Sequence, residues 1–159
     1  MATSNLTTAG DLQTETLFVD TPDGSHQVGV AGCGLTQRAF SPDDTWLLVS
    51  VVCYEDQWAD SGLYALPMND LFGVQDLTDM VRLGTGIFGR TTWHPDALWL
   101  ASTAVEAQPG QTVDLDISDL RSDIVVVSTS GQSFRHRPLG SATTPHSLVW
   151  ASQDVHTPS

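Results

Sequence analysis

The sequence predicts an all-β fold of repeated antiparallel four-stranded sheets, and three observations carry that prediction. First, Ala39-Phe40-Ser41-Pro42-Asp43-Asp44-Thr45-Trp46-Leu47-Leu48 is echoed by Thr92-Trp93-His94-Pro95-Asp96-Ala97-Leu98-Trp99-Leu100-Ala101, and more weakly around Leu148-Val149-Trp150. Phe40, Trp93 and Trp150 lie 53 and 57 residues apart, a period at which each repeat is one supersecondary unit that buries its apolar face by stacking on neighbours. Second, short apolar runs alternate with clusters of Gly, Pro, Asp and Asn, the signature of strands and tight turns. Third, no segment reads as a long amphipathic helix. The best helical candidate, residues 70–82, holds Gly73 and scattered Asp residues, so a strand followed by a loop is expected there.

Taken in order, residues 1–15 lack periodicity and are expected to be a flexible lead-in. Repeats are expected over 16–152, with cores near 38–52, 90–103 and 147–152, and a tail over 153–159. Residues 17–21 and 26–30 read as two strands about the turn Pro22-Asp23-Gly24-Ser25. The same hairpin recurs where 63–66 leads into 71–74, and where 123–127 leads through Ser130-Gly131-Gln132 into 133–136. Between these lie the Pro-Asp hairpins, 38–42 into 46–52 and 91–95 into 99–102. With the four strands of a unit called a to d, the order is c-d, a-b-c-d, a-b-c-d, a.

The Pro-Asp motif has a readable physical role. Pro ends a strand where no ladder donor is needed, Asp accepts backbone donors across the turn, and the flanking Phe or Trp fills the space between sheets. Asp44 and Ala97 stand at the turn position that favours glycine, and Ala97 is poorly suited to φ > 0, so the second turn is expected to differ in type.

On these residues the chain resembles the TolB-type, WD-repeat-like β-propeller family, whose blades carry an aromatic-Ser-Pro-Asp-Gly signature before an apolar strand. Phe40-Ser41-Pro42-Asp43 matches well, Trp93-His94-Pro95-Asp96 departs at His94, and the third copy lacks the Pro. The resemblance implies antiparallel four-stranded blades of a β-propeller, incomplete within one chain at two and a half to three blades. Closed propellers have at least four, so three outcomes stand open: two copies completing a ring, a fragment of a longer propeller, or three sheets in a compact non-propeller stack.

Composition narrows the partners. Six Arg, no Lys and nineteen acids, sixteen of them Asp, give a formal charge of −13. Such a surface repels nucleic acid and anionic membranes. The Asp residues mostly flank turn residues, which fits turn formation and solubility as well as cation binding. Cys33 and Cys53 have neither metal-site nor disulfide-scaffold spacing, so two reduced, buried thiols are expected. No signal peptide or membrane anchor is visible, and a cytoplasmic protein is expected.

Recognition is expected on the long b-to-c connections, since loops on a rigid scaffold commonly carry it. One holds Glu55, Asp56, Trp58 and Asp60; the other holds Asp114, Asp116 and Asp119. An aromatic among acids suits an Arg or ammonium group, by cation-π and charge attraction together; Trp58 folded over a sheet edge is the alternative. The Asp114, Asp116, Asp119 trio offers hard oxygens for Ca²⁺ but lacks the Gly and terminal Glu of an EF-hand loop. The five histidines show no zinc spacing, and no metal or cofactor is expected. The island Arg135-His136-Arg137 reads as a charge-protected edge strand. No nucleophile elbow, phosphate loop or base-paired Cys is present in the sequence, so no catalytic residue is assigned.

The expectation is therefore a non-catalytic interaction or scaffold module, a homo-oligomer binding a protein or peptide, cationic in character, through an acidic loop face. The alternatives are the propeller portion of a larger hydrolase or peptidase, and a divalent-cation or glycan-binding propeller.

Overall fold

The computed structural model of the chain describes residues 2–9, 12–106, 109, 123–136, 148 and 150. Among these, eleven strands form three antiparallel meanders. The first sheet holds β1 (Ala2–Ala9), β2 (Leu12–Thr21) and β3 (Gly24–Ala31). The second holds β4 (Cys33–Phe40), β5 (Trp46–Cys53), β6 (Gly62–Pro67) and β7 (Val81–Thr85). The third holds β8 (Ile87–Trp93), β9 (Trp99–Val105), β10 (Asp123–Ser128) and β11 (Ser133–His136). The fold is all-β, and none of these sheets closes on itself.

The middle sheet explains why β5 is an unbroken apolar run rather than an alternating one. Leu47, Val49 and Val51 pack with Leu17, Val19, Val28 and Val30 of the first sheet. Leu48, with Leu63 and Ala65 of β6, packs on Phe88, Leu100, Val125 and Val127 of the third. A sheet covered on both faces needs apolar residues at odd and even positions alike.

The two Pro-Asp segments sit at matching places in their sheets. Trp46 stands opposite Pro67 and Leu48 opposite Ala65 in the second sheet, as Trp99 stands opposite Ser128 and Ala101 opposite Val126 in the third. The Trp93 indole donates to the Ala39 carbonyl at 3.4 Å, and the Trp150 indole to the Thr92 carbonyl at 3.3 Å. Each acceptor directly precedes the equivalent aromatic of the preceding unit, so the same inter-unit contact occurs twice.

The Pro-Asp turns work as their chemistry requires. Asp43 Oδ1 accepts from the Thr45 amide at 3.2 Å and the Ser41 hydroxyl at 2.6 Å, and Asp96 Oδ1 accepts from the Leu98 amide at 2.9 Å. The two turns do not differ in type. Asp44 has φ 57° and Ala97 φ 60°, with matching bonds from their amides to the Ser41 and His94 carbonyls, both at 3.0 Å. The closing hydrogen bonds of the hairpin override the preference of alanine.

Three further expectations differ from what the structure contains. Residues 71–74 are not a strand: the connection from β6 to β7 folds into 3-10 turns over Met68–Gly73 and Leu77–Asp79. Asp76 caps the second turn through the Thr78 amide at 2.8 Å, while the Asp79 carboxylate takes the Gln75 amide at 2.9 Å; such side-chain bonds compete with strand pairing. The connection leans on the first sheet, where the Gln75 carbonyl accepts from the Gly29 amide at 3.1 Å and His26 Nε2 lies 2.6 Å from the Val74 carbonyl. The lead-in residues run as β1, paired with β2 from Ala2 opposite Val19 to Ala9 opposite Leu12. Finally, Cys33 and Cys53 form a disulfide rather than two thiols, because the β4–β5 register sets them directly opposite one another.

No helix among the described residues is long and apolar enough to cross a membrane.

Candidate functional site

The connection from β5 to β6 is a 3-10 turn over Glu55–Asp60, and its backbone is tied down at both ends. At its start, the Cys53 amide donates to Ser61 Oγ at 2.9 Å and the Tyr54 amide to the Gly32 carbonyl at 3.1 Å. Gly32 has φ 71°, and a side chain there would collide with the Gln57 carboxamide, so the turn nests on a position only glycine fills without strain. At its end, one Arg82 nitrogen donates to the Ala59 carbonyl at 2.5 Å and the Ser61 carbonyl at 3.1 Å. Tyr64 Oη donates to the Asp60 carbonyl at 2.6 Å. The Arg82 guanidinium lies 5.6 Å from the Tyr64 ring centroid. Burial raises the Tyr64 hydroxyl above its ordinary pKa; Arg82 opposes the rise and Asp60 adds to it.

On this fixed backbone the sequence-predicted residues separate clearly. Asp56 and Asp60 are exposed and Trp58 is half-buried. No hydrogen bond, ion pair or ring contact engages the Asp56 carboxylate, the Trp58 indole or the Asp60 carboxylate among the described residues. The Glu55 backbone belongs to the turn, and its side chain lies outside what is described. Asp114, Asp116 and Asp119 lie outside the described residues altogether, so the second acidic connection and its calcium reading are not placed. Among the described residues no group of three or more His, Cys, Asp or Glu is arranged to hold a metal ion.

The turn also lines a cavity of about 590 Å³, with Gln57, Asp60, Tyr64, Asp76, Met80 and Arg82 among its lining residues. Asp76 brings a second carboxylate, held below its ordinary pKa chiefly by the Thr78 hydroxyl and then by the Thr78 amide. Sequence reasoning missed Arg82, Tyr64 and Asp76. Tyr64 was legible only as a strand residue, and Arg82 and Asp76 fell in a stretch read as strand and loop. Arg82, the one arginine between Arg38 and Arg90, was the available signal.

No protein-family model matches this sequence, and no match is found among curated proteins.

Proposed function

We propose that the chain is a non-catalytic interaction module that recognises a basic peptide segment through the Glu55–Asp60 turn. The observation that carries this reading is the contrast within the turn: its backbone is held by Ser61, Gly32, Tyr64 and Arg82, while Asp56, Trp58 and Asp60 present unengaged side chains. Pre-organisation lowers the ordering cost of binding, and acids beside an indole suit guanidinium or ammonium groups. The test is calorimetric titration with a short Arg-rich peptide. Trp58→Ala leaves the net charge of −13 unchanged, so it separates a specific site from general attraction of a basic peptide to an acidic protein. Loss of a cation-π contact predicts about five-fold weaker binding; unaltered affinity would count against the site.

A second proposal concerns assembly. The first sheet has three strands where its neighbours have four, and no described strand pairs with the outer edge of β1. Trp150 repeats the contact that opens a new unit, but on the third sheet. The first and third sheets lie on opposite faces of the second, so the open β1 edge is completed in this proposal by a second copy rather than by the same chain's third sheet. Two copies then supply six four-stranded sheets, within the range of closed propellers; the TolB-type likeness belongs to this proposal. Light scattering on the 17.1 kDa chain checks it: a discrete dimer supports the reading, and a stable monomer at micromolar concentration sinks it. The disulfide favours an oxidising compartment over the cytoplasm, since such bonds are rare among cytosolic proteins.

A further inference from the structure

The cavity beside the Glu55–Asp60 turn has a floor and a rim of different chemistry. Cys33 of β4, Tyr64 of β6 and Met80 are buried members of one apolar cluster, and Leu77 packs against it; all four line the cavity. The rim carries two exposed residues from separate connections, Asp60 at the end of the turn and Asp76 between β6 and β7. An isolated parallel bridge pairs Asp76 with Gly29 and ties that connection to β3. At about 590 Å³, the space falls within the range of ligand pockets, which join an apolar lining to a few placed polar groups.

The charges at the rim do not cancel. Asp60 engages Tyr64 Oη through its backbone carbonyl, and no ion pair among the described residues takes its carboxylate. Asp76 Oδ1 accepts from the Thr78 amide and hydroxyl, both neutral donors, so its charge is retained. Arg82 directs its guanidinium to the Ala59 and Ser61 carbonyls beside the Tyr64 ring, and to neither carboxylate. Two carboxylates and one guanidinium leave one negative charge.

We propose that this cavity receives a monocation on a long aliphatic stem, such as a lysine side chain of the bound peptide, with the stem on the floor and the head at Asp60 and Asp76. The proposal rests on the reading of the turn as a basic-peptide site and adds a side-chain pocket to it. Long basic side chains bury their methylenes along apolar surface while the charged head stays in water, which is the pattern of this floor and rim. A short cation gains the rim alone, and a neutral chain the floor alone.

The test is amide NMR of the full chain titrated with hexylammonium, ethylammonium and hexanol. Hexylammonium is expected to shift the resonances of Cys33, Leu77, Thr78 and Met80, and to bind more tightly than ethylammonium by up to about four-fold for each added methylene; hexanol is expected to act more weakly. Asp76→Asn keeps a side chain able to cap the 3-10 turn and removes the charge, so it is expected to weaken hexylammonium about five-fold, the scale of an exposed ion pair. Asp23→Asn removes the same charge from the turn between β2 and β3 and is expected to leave hexylammonium binding unaltered; spectral dispersion reports that each variant is folded. An Arg-rich peptide titrated in parallel separates the two readings. Peptide binding without a hexylammonium response overturns the pocket and keeps the turn, whereas a hexylammonium response without peptide binding keeps the pocket and overturns the peptide reading. Equal affinity for ethylammonium, equal shifts with hexanol, or an unaltered response in Asp76→Asn would each overturn the pocket as well.

Discussion

Reducing the Cys33–Cys53 bond is the perturbation whose effect can be worked most directly from the structure. The bond closes a loop of 20 residues, and the chain-entropy relation for such a loop gives about 11 cal/mol/K, or about 3 kcal/mol at room temperature. That is a large share of the roughly 5–15 kcal/mol that stabilises a typical domain. With a urea dependence of about 2 kcal/mol per molar, the unfolding midpoint should fall by about 1.5 M. Both cysteines are buried, so the bond should be reduced in the unfolded state and the protein refolded under reductant. Tryptophan fluorescence then compares the two forms. Because Cys53 leads directly into Tyr54 and the Glu55–Asp60 turn, hydrogen exchange of residues 54–61 should also rise in the reduced form. Two titratable thiols in protein unfolded without reductant, or equal midpoints for the two forms, would refute the reasoning and restore the pair of thiols expected from spacing alone.

Ala97 carries φ 60° and is buried. Glycine there relieves about 1–2 kcal/mol of left-handed strain but loses about 0.8 kcal/mol of methyl burial and about 0.4–1 kcal/mol through the unfolded chain, so Ala97→Gly should be nearly neutral in urea unfolding, whereas Ala97→Val should destabilise by about 2 kcal/mol. Asp43 and Asp96 have lowered pKa values, Asp43 chiefly from the Ser41 hydroxyl and Asp96 chiefly from the Leu98 amide. A carboxyl whose folded pKa lies below its unfolded value adds stability above the unfolded value and loses it as pH falls through the folded one; stability followed by circular dichroism should therefore decline below about pH 4, less steeply in Asp43→Asn. Trp93→Phe removes the donor to the Ala39 carbonyl and should cost about 1 kcal/mol, a loss that calorimetric melting would detect.

The recurring hairpins were legible because their causes are local. Pro42 and Asp43, and again Pro95 and Asp96, carry their turn chemistry within five residues, so the strand-turn-strand units on either side could be placed from the sequence. The turn at Ala97 was less legible, since the deciding hydrogen bonds involve the closed hairpin rather than the residue's own preference. The strand β7 was missed because Val81-Arg82-Leu83-Gly84-Thr85 has little apolar contrast; its pairing with β6 makes it a strand. At the candidate site, the acidic character of residues 55–60 and the presence of Trp58 were visible at once. The groups that hold the turn were not, for Gly32, Tyr64 and Arg82 reach it from the junction of two sheets, from β6 and from β7.

By itself, the sequence determined an all-β chain, its turn residues and its strongly negative charge, all properties set by composition and by neighbours a few positions apart. Only the tertiary structure decided that Cys33 meets Cys53, that Arg82 anchors the Glu55–Asp60 turn, and that β5 is buried on both faces. Those outcomes depend on strand register and on sheets stacking across tens of residues, where a shift of one position sends each side chain to the opposite face.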